Sequence, residues 1–206
     1  MRAVAPNADR RVFFVGDSFV AGVGDPEHRG WVGRLAERAH WAAAPITAYN
    51  LGVRRDTSDD VCRRWSGEVA VRRAAGAQER LVVSFGVNDT SDDGLGHGPR
   101  VAPDRSVANL RALLLEAAAA GLPVLVVGPP PVADAAQNRR IAGLDERFAA
   151  VAAEAGVPYV AVVALQHDPR WMAEVAAGDG AHPGAAGYEL LADLVAPAWL
   201  DWLVGD

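Results

Sequence analysis

Lysine is missing from this 206-residue sequence, so all 20 of its basic residues are arginine. They lie scattered or in pairs (Arg54-Arg55, Arg63-Arg64, Arg72-Arg73) against 26 acidic residues, for a formal net charge of −6. Nucleic-acid binding needs a concentrated basic footprint, and none is visible. Cysteine is nearly absent as well: Cys62 stands alone, which rules out an intrachain disulfide. In a helical stretch a lone cysteine serves as a small buried hydrophobe more often than as a reactive thiol. Long apolar runs are also lacking. The run at 122–127 is too short to cross a bilayer, and the N-terminal ten residues have no signal-peptide apolar core. The expectation is a cytoplasmic protein without a membrane span. Metal-ligand spacing is missing too, because nothing elsewhere completes the small group Asp25, Glu27 and His28.

What is present reads as one α/β domain spanning 1–206. Half of the residues are hydrophobic and 22% are charged, an ordinary globular balance, and the length would cramp two domains. Short apolar runs alternate with longer helical stretches, the signature of a parallel sheet covered on both faces. The runs are 11–15, 46–51, 81–85, 124–127 and 159–163. Their β-branched and aromatic content, without clean alternation, suits strands buried on both sides. Helices are expected over 30–43, 58–75, 103–120, 136–155 and 183–203. Thr57 or Ser58 can cap the second of these, whose first turn carries Asp59 and Asp60 where the helix dipole favours carboxylates. Gly76, Gly121 and Gly156 sit where left-handed C-terminal caps belong. A loop over 88–102, rich in Gly, Ser and Asp, stands out as functional or mobile.

In an open α/β sheet, ligands bind beyond the carboxyl ends of the strands. The first run is followed by Gly16-Asp17-Ser18, the second by Gly52 after Asn50-Leu51, and the third by Gly86-Val87-Asn88-Asp89. The approach to the last helix reads Asp179-Gly180-Ala181-His182-Pro183. Four distant segments thus deliver a hydroxyl, backbone N–H groups, an amide and an Asp/His pair to one edge. In order and placement these blocks resemble the SGNH hydrolases, also called the GDSL esterase/lipase family. That family is named for residue types seen here as Ser18, Gly52, Asn88 and His182. The resemblance spans essentially the whole chain and extends to His182-Pro183-Gly184-Ala185-Ala186-Gly187-Tyr188, which is similar to the family's last block. Phe19 departs from it, standing where leucine usually follows the serine, a change expected to alter packing more than mechanism. The resemblance implies a three-layer α/β/α sandwich with a five-stranded parallel sheet in the flavodoxin-like order 2-1-3-4-5. It also implies hydrolysis of carboxylic esters using no metal or cofactor, and the small size, which leaves little room for a lid, favours small or short-chain acyl esters.

The chemistry of these residue types agrees. A serine hydroxyl attacks well only when a nearby base takes its proton. His182 can serve near neutral pH, and Asp179, three residues earlier, is placed to fix its tautomer and stabilise the imidazolium. By resemblance the oxyanion donors are the Ser18 N–H, the Gly52 N–H and the Asn88 amide, with Gly52 allowing close approach. Asp17 is expected to bond backbone N–H groups around its turn, and Asp89 to hold the Asn88 loop. Plainer alternatives exist: Ser18 could only cap a helix, and so could His182 were it not for Asp179. His97 is the rival base, without an orienting partner, and His28, His40 and His167 are expected on the surface. Trp31 and Met172 are expected in the core, and Trp171 on the wall of an acyl pocket. An acyltransferase or thioesterase would use the same triad. A non-catalytic small-molecule-binding module in the sheet crevice is the rival of another class, although Gly22-Val23-Gly24 lacks a phosphate-cradling fingerprint.

Overall fold

A computed structural model of the chain describes residues 8–94 and 98–205. Among these residues the strands are β1 (Arg10–Gly16), β2 (Thr47–Gly52), β3 (Gln78–Ser84), β4 (Val124–Val127) and β5 (Tyr159–Val160). They form a parallel sheet in the order β2-β1-β3-β4-β5, as expected. The helices, in chain order, are α1 (Ser18–Ala21), α2 (Gly30–Trp41), α3 (Ser58–Ala70), α4 (Val87–Thr90), α5 (Pro103–Ala119), α6 (Ala135–Glu154), α7 (Pro169–Ala177) and α8 (Ala185–Val204). None is long and apolar enough to cross a membrane.

The continuous apolar runs reflect burial on both faces. In β1, Val12 and Phe14 pack into a core shared with α1, α2, α7 and α8, while Phe13 and Val15 pack into another with α3, α5 and α6. All four are fully buried, each worth roughly 1.5–3 kcal/mol of hydrophobic stabilisation. In β4, Leu125 and Val127 face the first core, and Val124 and Val126 the second. Register then sets the site. Gly16 lies level with Gly52 on one side and Ser84 on the other, so the segments leaving β1, β2 and β3 share one edge.

Several boundaries differ from expectation. β5 is only two residues long; residues 161–162 are irregular and the last residue of the expected strand opens a 3₁₀ turn, Val163–His167, followed by the unforeseen α7. Helix α3 ends at Ala70 instead of 75, and its N-terminus is closed by a capping box between Thr57 and Asp60. The long loop starts with α4 and is pinned back onto it: the Arg100 N–H donates to the Ser91 carbonyl at 2.9 Å and Val101 N–H to the Asp89 carbonyl at 3.1 Å. Helix α8 begins at Ala185 because 179–184 are spent on a turn.

Candidate active site

Asp17 turns the chain from β1 into α1. Its Oδ1 accepts the Phe19 N–H at 3.0 Å, which caps this short helix and makes Ser18 its first residue. The other half of the site comes from the turn between α7 and α8. Gly180, at φ +81°, reverses the chain there, a conformation that glycine adopts without strain. Asp179 Oδ1 then accepts the N–H groups of Ala181 at 3.1 Å and His182 at 3.0 Å. Asp179 Oδ2 lies 2.8 Å from His182 Nδ1, and His182 Nε2 lies 2.7 Å from Ser18 Oγ. Ser18 and His182 are buried, whereas the Asp179 side chain is 44% exposed. Partial burial opposes the Asp179 charge, but the hydrogen bonds from His182 and Ala181 outweigh it and bring the carboxyl down to about 2. It is therefore an anion at neutral pH, placed to stabilise positive charge that develops on the ring beside it.

Packing fixes the imidazole. The Phe19 ring lies 5.0 Å from it, centroid to centroid, and the Trp31 indole N–H donates to the Phe19 carbonyl at 2.9 Å. Gly24 passes so close that a Cβ would fall 2.7 Å from the Pro183 carbonyl oxygen and 3.0 Å from His182 Cβ. An open cleft of about 610 Å³ runs along the His182 and Asp179 side, with Pro26, Arg54, Gly178 and Pro183 on its walls.

The expected oxyanion donors divide. Asn88, on α4, donates from Nδ2 to the Asp56 carbonyl at 2.9 Å and reaches Asp17 Oδ2 only at 3.4 Å. The Gly52 N–H is engaged, donating to Asn50 Oδ1 at 3.0 Å, while Asn50 Nδ2 donates to the Val20 carbonyl at 2.7 Å. A Cβ on Gly52 would lie 2.2 Å from Ala21 N and 2.7 Å from the Asp17 carbonyl oxygen. Glycine is thus required at 52 so that β2 and α1 can touch, and its N–H, expected as an oxyanion donor, points to Asn50 in this structure.

The model of the GDSL-like lipase/acylhydrolase family matches residues 14–190 of this sequence, from β1 into α8. The chain belongs to that family. As a GDSL-like acylhydrolase it is an esterase in the broad sense, a hydrolase of acyl esters. Solved structures share its fold. A lipase/acylhydrolase from Enterococcus faecalis is 24% identical with a TM-score of 0.74, the match covering 92% of this chain and 94% of that one. An acetylxylan esterase from Geobacillus stearothermophilus is 19% identical with a TM-score of 0.75, covering 98% of each. An α/β hydrolase enzyme from the metagenome of Lake Arreo, Spain, is 20% identical with a TM-score of 0.75, covering 97% and 99%. No curated protein sequence matches it significantly.

Around the centre of this GDSL hydrolase the remaining expectations sort by packing. Asp17 is almost wholly buried; burial pushes its carboxyl up to about 7 against the Phe19 hydrogen bond, with Asp89 and Asp56 adding to the rise. Asp89 Oδ1 accepts the Ser58 N–H at 2.7 Å, so it ties α4 to the start of α3 as well as steadying the Asn88 segment. Trp31 is core, as expected. Trp171 is not a pocket wall: it is fully buried, with its indole N–H donating to the Pro131 carbonyl at 3.0 Å. As the third residue of α7 it faces the sheet, which leaves the neighbouring Met172 only partly buried at the edge of that core. Cys62 is partly buried, its thiol 3.4 Å from the Asn109 carbonyl. His28, His40 and His167 are exposed, and His97 lies outside the described residues. Asp25 is committed to Arg34 and to the N–H groups of Glu27, Arg29 and Gly30. No group of three metal-ligating side chains occurs among the described residues. Two residues not singled out from sequence hold the site together, Asn50 and Asp56. Asn50 carried a signal, since an Asn accepting from the backbone two residues on is a common local motif.

Proposed function

We propose that this GDSL hydrolase cleaves small esters of short acyl groups through an acyl-serine intermediate. Ser18 is the nucleophile, His182 the general base and Asp179 its orienting anion. The observation that carries this reading is the unbroken line of contacts, 2.8 Å from Asp179 Oδ2 to His182 Nδ1 and 2.7 Å from His182 Nε2 to Ser18 Oγ. Ser18 Oγ attacks the ester carbonyl carbon while His182 Nε2 takes the hydroxyl proton, and Asp179 stabilises the imidazolium. The carbon–oxygen bond to the alcohol then breaks, and His182 hands its proton to the departing oxygen. Water attacks the acyl-serine next, giving a proton to His182, and Ser18 leaves with that proton as the carboxylic acid forms.

Charge on the carbonyl oxygen needs donors aimed at it. The Ser18 N–H is suited, because the first N–H groups of a helix lack intrahelical partners. Asn88 is the side-chain donor: one N–H is taken by Asp56, and the other is only loosely engaged by Asp17 at 3.4 Å. Gly52 acts through packing, by bringing β2 against α1. The acetylxylan esterase of similar fold is named for an acetyl ester, which favours short acyl groups here. A fluorophosphonate probe tests the reading, because only an activated serine reacts with it. The parent should be labelled at Ser18, and Ser18→Ala should lose both labelling and esterase activity while melting normally. Labelling that persists in Ser18→Ala would remove the nucleophile assignment.

A further inference from the structure

The loop from β2 to α3 carries two adjacent arginines, Arg54 and Arg55, both exposed. Arg54 lines the cleft beside Asp179 and His182, its Nη2 lying 3.4 Å from Asp179 Oδ2. That carboxylate already accepts from His182 Nδ1 and from two backbone N–H groups. Arg54 therefore spends one donor on a shared oxygen and keeps the rest of its guanidinium free. The Arg55 guanidinium has no hydrogen bond or ion pair among the described residues. Neighbouring carboxylates are matched elsewhere: Asp56 with Arg64, Asp59 with Arg105 and Asp60 with Arg63. Glu174, on the cleft wall, accepts the Gly187 N–H at 2.6 Å. The cleft lining itself sets Arg54 against two carboxylates, Asp179 and Glu174, so the positive charge open to a ligand is confined to the exposed Arg54-Arg55 pair of the β2–α3 loop.

The backbone adds a second observation. Arg55 sits at φ +74°, a left-handed conformation costly for any residue with a Cβ. It is held there on several sides. Arg100 places Nη1 and Nη2 each 3.2 Å from the Arg55 carbonyl oxygen, the Asp56 N–H donates to Val53 at 3.3 Å, and the Asp56 carbonyl accepts from Asn88. Glycine would fit this turn without strain, so an arginine held here points to use of its side chain.

Resting on the ester-hydrolase reading above, we propose that Arg54 and Arg55 form an anion-selecting rim. The preferred substrates are then small esters carrying a carboxylate or phosphate group on the part that reaches the cleft mouth. Arginine offers a planar fork of donors that fits both groups. The test is kcat/KM on matched esters. Para-nitrophenyl butyrate is paired with para-nitrophenyl hemisuccinate for the acyl side. Phenyl acetate is paired with para-acetoxybenzoate and para-acetoxyphenyl phosphate for the alcohol side. The parent should favour an anionic member of at least one pair about ten- to hundredfold, the worth of a charge-assisted hydrogen bond. The carboxylate and phosphate arms show which anion it is. The preference should shrink at about 0.5 M salt, where screening is strong, and in Arg54→Gln and Arg55→Gly, and vanish in the double variant. Reading the anionic-to-neutral ratio within each variant cancels any general loss from a weakened Asp179 contact, and glycine at 55 suits the left-handed backbone. Equal use of neutral and anionic esters by the parent, or an unchanged ratio in the double variant, overturns the rim and leaves the hydrolase reading standing. No turnover of any ester together with no labelling of Ser18 overturns both.

Discussion

Asp17 has two duties that pull against each other. It must cap α1 so that Ser18 is presented, yet it does so almost fully buried and beside Asp89 and Asp56, which together push its carboxyl from an ordinary 3.8 to about 7. The folded state therefore binds the proton more tightly than the unfolded chain. The associated stability is fully present below the unfolded value and is lost as pH rises through about 7. Asn at this position keeps an oxygen for the Phe19 N–H and cannot ionise. Asp17→Asn should thus gain in melting temperature relative to the parent between about pH 5 and pH 8, by several degrees at the upper end. A difference that stays flat over that range would mean that Asp17 does not titrate there. Ser18, Asp179 and His182 can be singled out from sequence by the ordered set of blocks that resembles the SGNH hydrolases, since each cue alone is weak, and the structure places the three in one line of contacts. The Asn50 contact of the Gly52 N–H was not legible in the sequence, for a physical reason. Its partner is a side-chain oxygen, and which way Asn50 turns depends on the Val20 carbonyl supplied by another element.

Elements were legible where burial was two-sided or an end signal was strong. The runs at 11–15 and 124–127 read as strands because both their faces meet apolar cores, and Thr57 and Pro103 announced the starts of α3 and α5. Short elements were not: α1 and α7 start from side-chain caps, α4 has none and is held by its packing, and no long hydrophobic period marks any of them. The start of α7 was in fact signalled by Asp168, which accepts the Arg170 N–H at 2.8 Å, and by Pro169 at its first position. Overlooking α7 moved Trp171 from the core to an imagined pocket wall. Gly52 belongs to this scale too, since it sets how near β2 comes to α1. Gly52→Ala would drive a Cβ into the backbone at Ala21 and Asp17, atoms that cannot step aside without moving the helix that bears Ser18. The variant should lower the urea midpoint and the esterase rate together, with stability falling by about 1–3 kcal/mol as for other overpacked sites. Unchanged stability with only a lower turnover would restore the N–H donor role that the Asn50 contact argues against.

For the whole molecule, the problem is to hold together two half-sites that are 164 residues apart in sequence, Ser18 and His182. Much of the answer lies on the α2–α8 face, where the loop after α1 is clamped. The Tyr188 hydroxyl donates to the Val23 carbonyl at 2.7 Å. Buried Arg34 reaches Asp25 at 2.5 Å, Glu27 at 3.0 Å and Glu189 at 2.9 Å, and Arg38 joins Glu189 to Asp193. The clamped loop is the one whose Gly24 lies against His182 and Pro183. A buried ion pair adds little over a well-packed apolar pair, but removing one partner strands the other charge away from water. Arg34→Met keeps much of the side-chain volume while leaving Asp25 without its cation, so stability should fall by about 3–5 kcal/mol. Urea unfolding measures this as a lower midpoint at an unchanged slope. Adding Asp25→Asn removes the stranded charge and keeps an oxygen for the Glu27, Arg29 and Gly30 N–H groups, so the double variant should recover a good part of the loss. If it recovers none, the cost lies in lost packing of the Arg34 stem and not in an unpaired carboxylate. If the single variant costs less than about 1 kcal/mol, Asp25 reaches solvent or a proton easily and the clamp is not held by this pair. Apolar packing between α2 and α8, through Leu35, Ala39, Ala192 and Trp199 in their shared core, would then have to hold the two half-sites in register.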